Sequence, residues 1–423
     1  MNPLKRSRAK LFRIAVRKYS PFETAIRAQW EALEEQVRSD LELDLVSLEL
    51  SDLEEALLTS RGMASGDWDV CFIPTDWIAS MHTLGCAVDL QPLLENDPPA
   101  DYPHGWHPSL LRLQQIQGSI VGVPYHDGPE CLIYRRDLFE DSHARGEFRR
   151  KFNRDLKPPS TWDDFHEVAR FLHNPPKQLY GTAFAAFPDG HNTVYDFLLQ
   201  LWSRGGELIS PSGHVSFSTP EAESAITFYR EMVSDNLAIH PDCRQLDSVA
   251  AGLRFAAGEI AMMINWFGFA TLAHTSKESA VRGLVEVAQI PASPGSCPVS
   301  LNVYWILSIA LGSPHQQLAW RFLRHTLAPV MDRLTTTSGA IGGRRSTWND
   351  PQINTTIPFY QRMESLHDHA REIPQCENWP QIAAIIDRLV TAAITTSTPA
   401  GDLLREADES YARVSTLRRL VRL

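Results

Sequence analysis

The chain has 423 residues, 43% of them hydrophobic and 22% charged, and a net charge of −11. That length exceeds one typical core and predicts two or three domains, while the acid excess argues against a nucleic-acid partner, whose phosphates need a basic face. No run of about 18 apolar residues predicts a membrane-spanning helix, and six scattered cysteines without CxxC spacing indicate neither a zinc site nor a disulfide framework.

The chain begins basic. Lys5, Arg6, Arg8, Lys10, Arg13, Arg17 and Lys18 all precede the first acid, Glu23. They read as a solvated tail leading into a first strand, with a basic arm for nucleic acid or a membrane surface as the other reading. No apolar stretch follows the first of them, so no secretory signal is expected in the chain as it stands.

Leu11–Val16 reads as a strand. Ser20, Pro21 and Glu23 then predict a helix start with Ser20 as cap and Glu23 closing a capping box. Phe22, Ile26, Trp30, Leu33 and Val37 follow at helical spacing. Residues 43–48 predict a second strand, Ser51–Glu54 a second helix start, and Asp69–Ile73 a third strand. This βαβαβ order requires a parallel sheet with right-handed crossovers. Ligands of such sheets sit beyond the carboxyl ends of the strands, where Tyr19, Asp76 and Trp77 fall. Asp76 can accept from ligand hydroxyls and Trp77 can stack on an apolar face; the alternative makes Asp76 a helix cap and Trp77 core. Neither GxGxxG nor GxxxxGK[ST] follows the first strand, so dinucleotide and P-loop readings lose their support. His104 and His107 form an HxxH pair without a third ligand and read as loop.

Ile120–Val123 and Cys131–Tyr134 predict two strands around the polar loop Tyr125–Pro129, which contains His126 and Asp127. We read this stretch as a crossing between two lobes that also lines the gap between them. Beyond it, Ser160 or Thr161 caps a helix and Tyr180–Phe184 reads as a strand. A helix through Val194–Trp202 ends at Gly205-Gly206, and Thr219 opens another. Ile260–Ile264 predicts a buried strand with Trp266 at its carboxyl end. Val285–Ile290 leads into Pro291 as a second crossing, and Val303–Ala310 is a further apolar strand before a helix from Pro314 to Leu323.

Seven segments, taken in order, resemble one family. They are VGVPYHDGPECLIYRRDLF, PPSTWDDFHEVARFL, FLLQLWSRGGEL, STPEAESAITFYREM, FAAGEIAMMINWFGFA, the run from LSIALGSPHQQLAWRFLRHTLAP through SGAIGGRRSTWNDPQI, and EIPQCENWPQIAAII. Over roughly residues 10–415 the chain is similar to the sugar-type, maltose-binding-protein-like substrate-binding proteins of ABC importers (extracellular solute-binding family 1). Where the family often has Gly-Gly-Trp-Gly, this chain reads Asn302-Val303-Tyr304-Trp305. The resemblance implies an α/β, two-lobed periplasmic-binding-protein-like fold (type II) with mainly parallel sheets flanked by helices. Residues 10–124 plus 291–328 would form one lobe and 125–290 plus 329–423 the other, with crossings near 123–130, 288–292 and 326–332. It further implies a carbohydrate-like solute bound between the lobes with hinge closure and no chemistry. The ligand residues carried over are Tyr19, Asp76, Trp77, His126, Asp127, Trp266, Tyr304, Arg345 and Trp379.

No cofactor and no metal are implied. The expected partners are a small solute, a sugar or sugar derivative, and a membrane permease; the chain is expected to be a monomer outside the cytoplasm. Two other readings stay open. One is a cytosolic sugar-binding regulatory protein of the same fold. The other is a glycan-acting enzyme with Asp76 and Asp127 as its carboxylate pair.

Overall fold

The computed structural model describes residues 10–421, apart from 39, 113 and 377. In chain order its principal strands are β1 (Leu11–Arg17), β2 (Glu42–Leu48), β3 (Val70–Pro74), β4 (Val123–His126), β5 (Glu130–Arg135), β6 (Met262–Trp266), β7 (Val285–Ala288) and β8 (Trp305–Ile309). Lys5, Arg6 and Arg8 lie outside the described residues.

The chain divides into two compact units. The first takes the chain through Gly128, then Asn302–Asp368, with Gln375 and Cys376; the second takes Pro129–Leu301, His369–Pro374 and the chain from Asn378. The first and second exchanges fall at 128/129 and 301/302. The third falls at 368/369, about forty residues later than the expected 326–332. Residues 329–368 therefore belong to the first unit, because their helices pack on its core: Gln29 Nε2 donates to the Met331 carbonyl and to Thr335 Oγ1.

In the first unit one sheet runs β2-β1-β3-β8-β4. β1 pairs in parallel with β2 and β3, as the βαβαβ order requires, and β8 is antiparallel to both its neighbours. Phe12, Ile14 and Val16 of β1 are fully buried. The helix Ser20–Ala32 covers one face with Phe22, Ile26 and Trp30, and the Trp30 ring stacks on Phe12 at 5.0 Å. Each such side chain contributes about 1.5–3 kcal/mol on burial. The expected capping box is absent. Tyr19 occupies the cap position without a side-chain bond, and the Glu23 carboxylate instead accepts from Ser47 Oγ at 2.7 Å.

In the second unit the sheet order is β6-β5-β7, and β5 is antiparallel to both. Parallel pairing in this unit joins Ser300–Leu301 to Ala370–Arg371. Around Tyr180–Phe184 the described residues form only the single parallel bridges Tyr180–Ile260 and Thr182–Ile239, so the strand expected there is not continuous. The predicted helix starts hold: Thr161 Oγ1 accepts from Asp164 N–H and Thr219 Oγ1 from Ala222 N–H. The helix Asn192–Trp202 ends where Gly205 adopts φ +82°, the left-handed stop that favours glycine.

Candidate functional site

The first unit gathers polar and aromatic groups at one edge of its sheet. β1, β3 and β4 all end there, and antiparallel β8 begins there, with Trp305 in register with both Pro74 and His126. Tyr19 follows β1, Asp76 follows β3, and His126 ends β4. The Tyr19 and Phe22 rings flank His126, at 6.4 and 4.8 Å from the imidazole, and Phe22 lies in turn 5.8 Å from the Trp305 ring. His126 Nδ1 accepts from the Ile341 N–H at 2.9 Å, which leaves the hydrogen on Nε2. Burial holds this imidazole neutral, its pKa pushed down to about 4. Burial also pushes the Tyr19 phenol up to about 12, so it remains a donor. Tyr19, Asp76, His126 and Trp305 are all partly exposed.

Trp305 was missed by the sequence reading, which singled out Tyr304. Tyr304, the residue just before β8, is buried and its hydroxyl donates to the Leu110 carbonyl. A one-residue step along a strand changes the face, and it is Trp305 that faces His126's side of the sheet, against Phe22 and Phe72.

Other expected ligand residues are spent inside the protein. Trp77 is 5% exposed and belongs to the core, as is Trp379 at the start of the helix Trp379–Thr395 in the second unit. Asp127 is 1% exposed; its Oδ2 accepts from His367 Nε2 at 2.7 Å. His367 Nδ1 meets Ser109 Oγ at 2.8 Å, and the same hydroxyl meets His107 Nδ1 at 2.9 Å. Trp348 stacks on His367 with 4.8 Å between centroids. This run of Asp, His and Ser is shielded from solvent, and Asp127 cannot serve with Asp76 as a pair flanking a sugar. Arg345 is exposed and held in a two-pronged pair by Glu364 at 2.8 and 3.1 Å. Its neighbour Arg344 is the buried one, donating to the Ala100 and Leu327 carbonyls and to Asp101 while lying over the Trp106 ring.

In the second unit Trp266 ends β6 and is partly exposed. Its ring meets Tyr195 edge-on at 5.7 Å, and His191 lies 6.2 Å beyond Tyr195. The sequence does not single out Tyr195, whose partner Trp266 lies 71 residues further along the chain; its helix Asn192–Trp202 is buried along its whole length. A separate cavity of about 520 Å3 lies against Trp162, Arg204 and Phe228 and contains none of the expected ligand residues.

A sequence profile for the bacterial extracellular solute-binding protein family matches residues 17–329. A probable ABC transporter-binding protein of Deinococcus radiodurans is 21% identical over 375 residues, covering 86% of this chain and 84% of that one. Among solved structures, maltose-bound MalE3 of T. maritima superposes with a TM-score of 0.82 at 23% identity, over 95% of this chain and 99% of that one. A solute-binding protein of Agrobacterium vitis with bound D-mannitol gives a TM-score of 0.80 at 19% identity, over 96% and 99%. These likenesses show the fold, and the profile match, which spans well over half of the sequence, shows the family. The chain belongs to the bacterial extracellular solute-binding proteins.

Proposed function

We propose that this chain is the substrate-binding component of an ABC importer and takes a carbohydrate-like solute outside the cytoplasmic membrane for delivery to a membrane permease. It binds and releases that solute without chemistry. The observation that carries the reading is the set at the sheet edge of the first unit, where Tyr19, Asp76, His126 and Trp305 combine partly exposed rings with hydrogen-bonding groups. Aromatic faces cover the C–H surface of a sugar, and donors and acceptors fixed beside them reject a solute that leaves them unpaired. Trp266 and Tyr195 supply the aromatic part in the second unit. Maltose and D-mannitol on the structural relatives support a sugar or polyol as the class.

Thermal unfolding against mono- and oligosaccharides, sugar alcohols, polyamines and small anions, with each ligand recovered afterwards, tests the proposal. A solute at 100 times its dissociation constant adds about 2.7 kcal/mol to the native state. Stabilisation by a sugar or polyol that returns unchanged is the expected result. A cleaved ligand would make the chain an enzyme, and stabilisation by polyamines or anions alone would replace the carbohydrate class.

A further inference from the structure

We propose that Glu130 and Asp196 make the solute site of the second unit selective for a protonated amine on a carbohydrate-like solute, an amino sugar or aminated polyol. The inference rests on the functional reading above and narrows its substrate class. Glu130 opens β5 and lies directly opposite Trp266 on β6. Residues opposite one another on antiparallel strands project from the same face of the sheet, so the carboxyl shares a face with the Trp266 ring. Only 4% of Glu130 is exposed, and its Oε2 has no hydrogen-bond partner among the described residues.

Asp196 is the second acid. It follows Tyr195, whose ring meets Trp266, and is 9% exposed. One of its oxygens accepts from the Tyr229 hydroxyl at 2.8 Å. Burial, reinforced by the Asp196 carboxylate, pushes the Glu130 carboxyl well above its ordinary range. Among the described residues no Lys, Arg or His pairs with either acid.

A carboxyl withdrawn from water without a donor or a countercharge is unfavourable, and a ligand that brings both relieves it. An ammonium brings three N–H donors and a positive charge, and it is attracted to the face of a tryptophan ring. A sugar hydroxyl brings one donor and no charge. The two carboxyls beside an aromatic pair therefore match an amine better than they match a neutral sugar.

The test is calorimetric titration with matched pairs, glucosamine with glucose, galactosamine with galactose and mannosamine with mannose, near neutral pH. In the unmodified protein the amine member of at least one pair should bind roughly tenfold tighter or more, the size of one charge-assisted hydrogen bond. Glu130→Gln, which keeps the shape and a hydrogen-bonding amide, should remove that preference. Asp196→Asn should reduce it, and carries the test if the first variant fails to fold. Neutral sugars binding as tightly as their amines, or a preference that survives in Glu130→Gln, would overturn this inference alone. Binding of no member of either series would overturn the carbohydrate reading and the amine selectivity with it.

Discussion

Asp127 shows how far a side chain's role depends on a partner distant in sequence. It follows β4 among residues that pattern well as a ligand loop, yet its Oδ2 accepts from His367, 240 residues away, and His367 in turn meets Ser109. All three are almost fully buried. Removing the acceptor by Asp127→Ala leaves the His367 Nε2–H without that partner and should lower unfolding stability by about 1–3 kcal/mol, the cost of a buried donor left unsatisfied. Urea unfolding measures it; a loss below about 0.5 kcal/mol, the range of a neutral surface change, would show that the run does not hold the fold.

At the level of elements, the helix starts separate cleanly. Thr161 and Thr219 each accept a backbone N–H, whereas Ser20 lies inside its helix and makes no cap bond. Thr161→Ala and Thr219→Ala should each cost about 1 kcal/mol and Ser20→Ala far less. Equal losses in the three variants, read from denaturant midpoints, would contradict the assignment. These starts were legible because Thr161 and Thr219 precede first turns rich in Asp or Glu, a local signal. The strands β1, β2 and β3 were legible for the same reason, through runs of apolar residues between turns. Legibility failed at β8. Ile306, Leu307, Ser308 and Ile309 are all buried, so both faces of that strand read alike and nothing local distinguishes Tyr304 from Trp305. It failed again for Asp127, Glu130 and Tyr195, whose surroundings are assembled from segments far apart in the chain. The strand expected over Tyr180–Phe184 failed differently: its residues find single bridges where a ladder was expected.

For the molecule as a whole, buried titratable groups set opposite pH responses in the two units. In the first, His126 has a folded pKa of about 4, below its ordinary 6.5. The neutral form is the one the fold accepts, so its contribution is present above pH 6.5 and is lost as pH falls through about 4. In the second, Asp196 is pushed up to about 7 from 3.8, chiefly by burial. Its protonated form is favoured, so that stability is present below pH 3.8 and lost as pH rises through about 7. Asp196→Asn should therefore flatten the decline between those limits, seen in urea midpoints taken from pH 4 to 8; an unchanged slope would contradict the burial of a titrating carboxyl.

Solute binding is the central claim, and Trp305, which opens β8, together with Tyr304 just before it tests the claim most directly. The measurement is the dissociation constant of the solute that best stabilises the protein, by isothermal titration, for the unmodified chain, Trp305→Ala and Tyr304→Phe. We predict one saturable event in the unmodified chain. Trp305→Ala should weaken it roughly tenfold or more, as the loss of an aromatic contact at a binding hot spot does. Tyr304→Phe should leave it unchanged while lowering stability by about 1 kcal/mol for the lost hydrogen bond. Affinity that falls in Tyr304→Phe and survives in Trp305→Ala, or no saturable binding of any solute, would contradict the account.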